Sequence, residues 1–262
     1  MNKKIRKPQL LTRRRFLGGM AGAAVLMTAS HASALPTLQF RWIAEGVYLH
    51  ISWFSSSHGV VSSNGLVIVG RDRLLFVDTP CSMAQTEEML GRILDYEDKR
   101  LVITHAHDDR MAGLPVMQAR GISSLAHQTT VAAAVERQQG TIDEAWSGET
   151  HVLNIGGRKV DLFYPGPAHT SDNTVVYIED CALLYGACLV RALDRTNLGG
   201  LGSADVCHWP QAIRTLQQRY SHARIVVPGH GEPGNLGLLS HTLALAEAEG
   251  ARLNCGGTSP SP

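Results

Sequence analysis

The chain has 262 residues, of which 44% are apolar and 18% charged. That composition excludes disorder and allows one sizeable domain with a well-buried core, or two small ones. Seven of the 24 Lys and Arg lie in residues 1–34, with no Asp or Glu among them, so the rest carries 17 basic against 23 acidic residues, a net of −6. A mildly acidic body argues against nucleic acid as the main partner.

Residues 1–34 read as a targeting segment and stand outside the fold. A basic region precedes a modestly apolar, Gly-rich run over 16–29 and the small-residue pattern Ala32-Ser33-Ala34. The run is shorter than the roughly 20 residues a membrane-spanning helix needs. Thr12-Arg13-Arg14-Arg15-Phe16-Leu17 resembles the twin-arginine export signal. The alternative is a general secretory signal that happens to hold three arginines. With cleavage after Ala34, the mature protein is expected in the periplasm, meeting the export machinery only transiently and keeping no membrane anchor. Five cysteines in an exported chain raise the question of disulfides. Their odd number leaves at least one thiol free or bound, and no C-x-x-C pair marks a small disulfide scaffold.

From residue 40 to 78 the pattern is that of strands. Val47-Tyr48-Leu49-His50-Ile51 and Leu66-Val67-Ile68-Val69 read as two, and Gly70-Arg71-Asp72-Arg73 turns into Leu74-Leu75-Phe76-Val77-Asp78. Between the first two, residues 52–59 put two large aromatics, Trp53 and Phe54, in a Ser/Gly-rich loop. Ser82-Met83-Ala84-Gln85 has the form of a capping box and opens a helix to about Leu94. The apolar run Leu101-Val102-Ile103 leads into Thr104-His105-Ala106-His107-Asp108-Asp109-Arg110, followed by a helix from about Arg110 that Pro115 cuts. A short strand over 122–125 and a helix over 129–139, ended by Gly140, complete the first half.

The second half repeats the alternation. Residues 152–155 and 160–164 form a hairpin about Gly156-Gly157, and 174–178 and 182–185 two more strands joined at Glu179-Asp180. A helix over 208–220, a strand over 224–227 and a helix over 237–251 follow, with a disordered tail over 255–262. Two such halves can stack as a sandwich with helices outside, an αββα layering. No linker divides them, so residues 35–254 read as one domain.

Side chains at i, i+2 and i+4 of an extended segment point the same way, which lets His105, His107 and Asp109 converge. Imidazole nitrogen and carboxylate oxygen are donors that zinc accepts. Three more such donors follow apolar strands: His169 in Pro165-Gly166-Pro167-Ala168-His169, Cys188 in Gly186-Ala187-Cys188, and His230 in Pro228-Gly229-His230-Gly231. Six ligand-type residues at the ends of four strands suit two tetrahedral zinc sites that each keep a position for water, as catalytic zinc does. Zinc lowers the pKa of its water to about 7, which is hydrolytic chemistry at neutral pH.

These residues, in this order and context, resemble those of a subclass B1 metallo-β-lactamase, and the resemblance runs from about Phe40 to Glu249. It implies the αββα sandwich and two Zn2+. One ion falls to His105, His107 and His169 and the other to Asp109, Cys188 and His230, with Asp109 the catalytic carboxylate among the ligands. A hydroxide held at the metals would open the β-lactam amide of penicillins, cephalosporins and carbapenems. Arg110 stands where the wider superfamily usually has a further histidine, and Cys188 where other branches have a bridging Asp; both departures point to the B1 branch. Leu75-Phe76-Val77-Asp78-Thr79 also matches, with Asp78 the carboxylate beneath the metals. Arg191, three residues past Cys188, stands where many relatives carry a Lys that pairs with the substrate carboxylate. Trp53 and Phe54 would form an apolar flap over the site. Relatives often show Leu-Gly-Asn-Leu-Gly, whereas this chain reads Leu198-Gly199-Gly200-Leu201-Gly202, so Gly200 supplies no oxyanion donor. The protein is expected to be a monomer. Other readings are a lactonase or thioesterase on the same scaffold, and a non-enzymatic periplasmic zinc binder. Cys81, Cys181 and Cys207 flank core elements and read as structural, and the remaining histidines, His50 and His58 among them, lack ligand spacing.

Overall fold

A computed structural model describes residues 35–57, 59–93 and 96–255. The leader over 1–34, His58 and the tail over 256–262 lie outside the described residues. Strands β1 (Gln39–Ala44), β2 (Val47–Ser56), β3 (Gly59–Val69) and β4 (Arg73–Val77) form an antiparallel meander. Helix α1 (Met83–Arg92) leads to β5 (Asp98–Ile103), and the short helices α2 (Asp108–Met111) and α3 (Leu114–Ala119) lead to β6 (Ser123–His127). Helix α4 (Gln128–Glu136) then leads to β7 (Glu144–Trp146), and β4 through β7 pair in parallel, completing a seven-stranded sheet in sequence order. Strands β8 (Thr150–Ile155), β9 (Arg158–Phe163), β10 (Val175–Ile178), β11 (Leu183–Ala187) and β12 (Ile225–Pro228) make a second sheet in the order β12-β11-β10-β9-β8. Helices α5 (Trp209–Arg219) and α6 (Gly237–Arg252) belong to that half.

The strand sequences dictate the layers. In β4, Leu75 and Val77 face the second sheet, packing with Leu162, Val176, Tyr185 and Val227, while Leu74 and Phe76 face Met89, Met111 and Met117 of the helices. A continuous apolar run is what a strand buried on both faces requires. On the far side, Val175, Leu184 and Val226 pack against Trp209, Ile213, Leu216 and Leu239. The result is the expected αββα sandwich.

Several local expectations need correction. Residues 52–56 do not form a loop: they continue β2, which runs on in register with β3, Ser52 opposite Ser63, Phe54 opposite Val61 and Ser56 opposite Gly59. Serines alternating with aromatics read as a loop by composition, but cross-strand pairing holds them extended. Ser82 does accept a hydrogen bond from the Gln85 N–H (3.2 Å), yet the Gln85 side chain turns to the Trp53 backbone and bonds both its N–H (2.9 Å) and its C=O (2.8 Å). The base of the hairpin is thereby pinned to α1. Pro115 lies in the first turn of α3, where proline is tolerated, so it starts a helix instead of cutting one. Helix α4 ends at Glu136, because Gln138 adopts a left-handed φ of 57° before Gly140 is reached. Strand β7, three residues long, carries too little pattern to be read from sequence. Cys255 is not part of a tail: it forms a disulfide with Cys207, 48 residues away, leaving Cys81, Cys181 and Cys188 as free thiols.

Candidate metal centre

The stretch after β5 is not extended. The His107 N–H bonds back to the His105 carbonyl (3.0 Å), His107 caps α2, and Asp109 sits in that helix's first turn. His105, His107 and Asp109 still converge, by a turn and a helix start in place of strand alternation. His169 arrives from the loop after β9. The three imidazoles stand edge to face, their centroids 4.8, 5.1 and 5.0 Å apart. His169 Nε2 lies 3.2 Å from His107 Nδ1, and the buried His105 Nε2 has no hydrogen-bond partner among the described residues. Burial first, then the neighbouring histidines, holds the His105 imidazole well below the ordinary range, so its ring is neutral and offers a lone pair.

A second group abuts the first. His230 Nε2 lies 3.3 Å from Asp109 Oδ2 and 3.3 Å from Cys188 Sγ. The His230 Nδ1–H donates to the Ser62 carbonyl at 2.6 Å, which leaves Nε2 with its lone pair toward the group. Gly229 makes this approach possible, because a Cβ there would lie 2.7 Å from Cys188 Sγ and from its backbone. Donor atoms of Asp109, Cys188 and His230 fall within 4.8 Å of one another, as do those of His105, His107 and Asp109 and those of His105, His169 and Cys188. Nitrogen, oxygen and sulfur lone pairs packed this closely, one of them orphaned, suit a borderline-soft cation such as zinc.

Beneath the donors lies a charged floor. The Arg110 side chain is wholly buried; its Nη2 donates to Asp109 Oδ2 (2.8 Å), Cys188 Sγ (2.9 Å) and the Gly229 carbonyl (3.1 Å). Its Nη1 donates to the Asn64 carbonyl (2.6 Å) and Tyr185 Oη (2.9 Å) and lies 3.5 Å from Asp78 Oδ2. Burial alone would raise the Asp109 carboxyl, but Arg110 and the histidines outweigh it and hold it at about 2. Asp78 has a left-handed φ of 60° and lies within the floor. Burial pushes its carboxyl up to about 6 against the pull of Arg110, so it is ionised at neutral pH.

The other expected residues lie around this core. The Phe54 ring stands edge-on to His230, centroids 6.3 Å apart, and Trp53 is half-buried. Arg191 donates from Nε to the Asn197 carbonyl (3.2 Å) and lays its guanidinium against Gly199; its charge also depresses the His230 imidazole, whose pKa burial chiefly lowers to about 4. A Cβ on Gly200 would meet nothing within 4 Å. Sequence reasoning assigned no structural part to Arg110, Tyr185 or Asn64. The available signal was a basic residue directly following two carboxylates beside histidines, and a tyrosine ending an apolar strand.

Within an αββα sandwich, these three donor groups could hold metal ions. Residues 58–230 match the family model described as the metallo-beta-lactamase superfamily. A metallo-beta-lactamase type 2 of Bacillus cereus is 36% identical over 214 residues, 80% of this chain and 82% of that protein. One of Pseudomonas aeruginosa is 31% identical over 82% of this chain and 87% of its own length. Among solved structures, the DIM-1 metallo-beta-lactamase exposed to ceftazidime superposes with a TM-score of 0.79 at 35% identity, covering 83% of this chain and 100% of that one. A metallo-beta-lactamase from Pontibacter korlensis gives 0.78 at 37% identity, over 80% and 99%. The chain belongs to the metallo-β-lactamase superfamily and, within it, to the type 2 enzymes of subclass B1.

Proposed function

We propose that the mature protein is a periplasmic β-lactamase that holds two zinc ions and opens penicillins, cephalosporins and carbapenems. The observation that carries this reading is the interlocked donor set, in which Asp109 and Cys188 each join the histidine cluster to a second group around His230. His105, His107 and His169 hold one ion, and Asp109, Cys188 and His230 hold the other. Zinc, when bound, supplies Lewis-acid polarisation and a water of pKa about 7. The protein's own residues then orient the substrate. Arg191 pairs with its carboxylate, Phe54 covers its apolar face, and Arg110 with Asp78 keeps the floor rigid. Trp53, the preceding residue of the same strand, points to the opposite face and takes no part in the expected flap. Steady-state rates on one member of each β-lactam class, with and without chelator, test the reading; hydrolysis of none would sink it. Gly200 motivates a second reading, a lactonase or thioesterase, which turnover of those esters in preference to a cephalosporin would support.

Two expected results follow. Arg191→Ala raises KM more than it lowers kcat, because pairing with the carboxylate is largely uniform binding. The loss in kcat/KM is roughly 10- to 150-fold, from about 1.5–3 kcal/mol for a charge-assisted hydrogen bond. Arg191→Lys recovers part of it, since charge survives while the fork is lost. An unchanged KM on a cephalosporin would place the carboxylate elsewhere. Gly200→Asn, into open space, gains less than about tenfold, because the metal already bears on the oxygen an added donor would serve.

Export through the twin-arginine route has its own test. Arg13→Lys with Arg14→Lys leaves precursor in the cytoplasm, and normal periplasmic yield would favour the general secretory route.

A further inference from the structure

Thr104 carries a single hydroxyl proton and stands between two acceptors. Its Oγ1 lies 2.9 Å from Asp78 Oδ2 and 3.1 Å from His105 Nδ1, and the residue is wholly buried. Asp78 accepts the Thr104 backbone N–H at Oδ1 (2.8 Å), has the Tyr185 hydroxyl 2.8 Å from Oδ2, and faces Arg110, so it presents a carboxylate. A carboxylate oxygen cannot face a hydroxyl lone pair at that distance without repulsion, so the Thr104 proton goes to Asp78. The hydroxyl oxygen is then free to accept, and Nδ1 of His105 has no other hydrogen-bond partner among the described residues. The imidazole proton therefore sits on Nδ1, which leaves a lone pair on the orphaned Nε2 aimed at the other donors.

We infer that Thr104 is a positioning residue: its hydroxyl relays the Asp78 carboxylate to His105, fixing the tautomer and the ring orientation with which His105 meets a metal. The inference rests on the zinc reading above. Metal-ligating histidines commonly donate their second N–H to a carboxylate, and here a hydroxyl is interposed. The relay ties ligand geometry to the left-handed backbone of Asp78 through the Thr104 hydroxyl.

The test uses zinc-loaded mature protein and two readouts other than turnover. In wild type, nitrogen–proton correlation spectra show the His105 ring proton on Nδ1 and exchanging slowly. Thr104→Val keeps the side-chain shape and removes the hydroxyl; zinc affinity of one site, measured by competition with a chromophoric chelator, falls about 10- to 100-fold. Thr104→Ser keeps wild-type affinity and the protected proton. A wild-type proton on Nε2, or Thr104→Val with unchanged affinity, would overturn the relay. The spectrum of the wild type serves if the valine variant does not fold. A wild-type protein that takes up no zinc would instead overturn the metal reading itself.

Discussion

Arg110→Met is expected to destabilise the protein by about 3–5 kcal/mol, the range for removing one partner from a buried ion pair. Met fills much of the same volume, so the loss comes from charge and not from a cavity. Asp109 and Cys188 lose a donor at 2.8 and 2.9 Å, and the Asp78 carboxylate loses its only nearby cation among the described residues. The Asn64 carbonyl loses the Arg110 bond, and the Tyr185 hydroxyl beside it (2.6 Å) has a single proton for which Asp78 Oδ2 (2.8 Å) competes. At about 2–4 °C per kcal/mol for a domain of this size, Tm falls by about 6–20 °C. Bound zinc is itself a large local positive charge, so the fall should be steeper in chelator than in zinc. Arg110→Lys keeps the charge but cannot serve five acceptors from one ammonium, and should lie between. Thermal melts with and without zinc decide; a drop equal in both conditions would mean the guanidinium and the metal do not share the same negative charges.

Trp209→Ala should cost about 3–5 kcal/mol, as for other fully buried large side chains. The indole is wholly buried at the first turn of α5, packed with Ile213 and Leu216 between helix and sheet. Its Nε1–H donates to the Leu189 carbonyl (3.0 Å), next to Cys188, and its ring stands edge-on to His169 with centroids 5.8 Å apart. One side chain thus supports residues of both donor groups, and truncation should lower zinc affinity as well as stability. Trp209→Phe keeps the ring but strands the carbonyl, at about 1–3 kcal/mol. Denaturant titration and zinc competition on the two variants separate these contributions. Full zinc affinity in Trp209→Ala would mean that His169 is held by its own loop.

The fold was legible where the pattern is local. Runs such as Leu74-Leu75-Phe76-Val77 and Leu101-Val102-Ile103 read directly as strands, and the six candidate donors stood out because they lie in the segments that follow apolar strands. The reason given for His105, His107 and Asp109 was the wrong one: alternation along an extended segment does not occur there, and a turn with a helix start brings them together. What remained hidden depends on partners far along the chain. Arg110 reaches Tyr185 and Gly229 across 75 and 119 residues, and Tyr185 reaches Asn64 across 121. No periodicity carries such information. The continuation of β2 over residues 52–56 was missed because composition there speaks for a loop while cross-strand pairing, invisible locally, makes a strand.

Hydrolysis of a chromogenic cephalosporin, followed while zinc is titrated into chelator-stripped mature protein, bears most directly on the two-zinc β-lactamase account. Turnover should be absent without metal and should rise to a plateau by about two equivalents, as two open tetrahedral sites require. Undiminished turnover in the metal-free protein, or none with both equivalents bound, would contradict it.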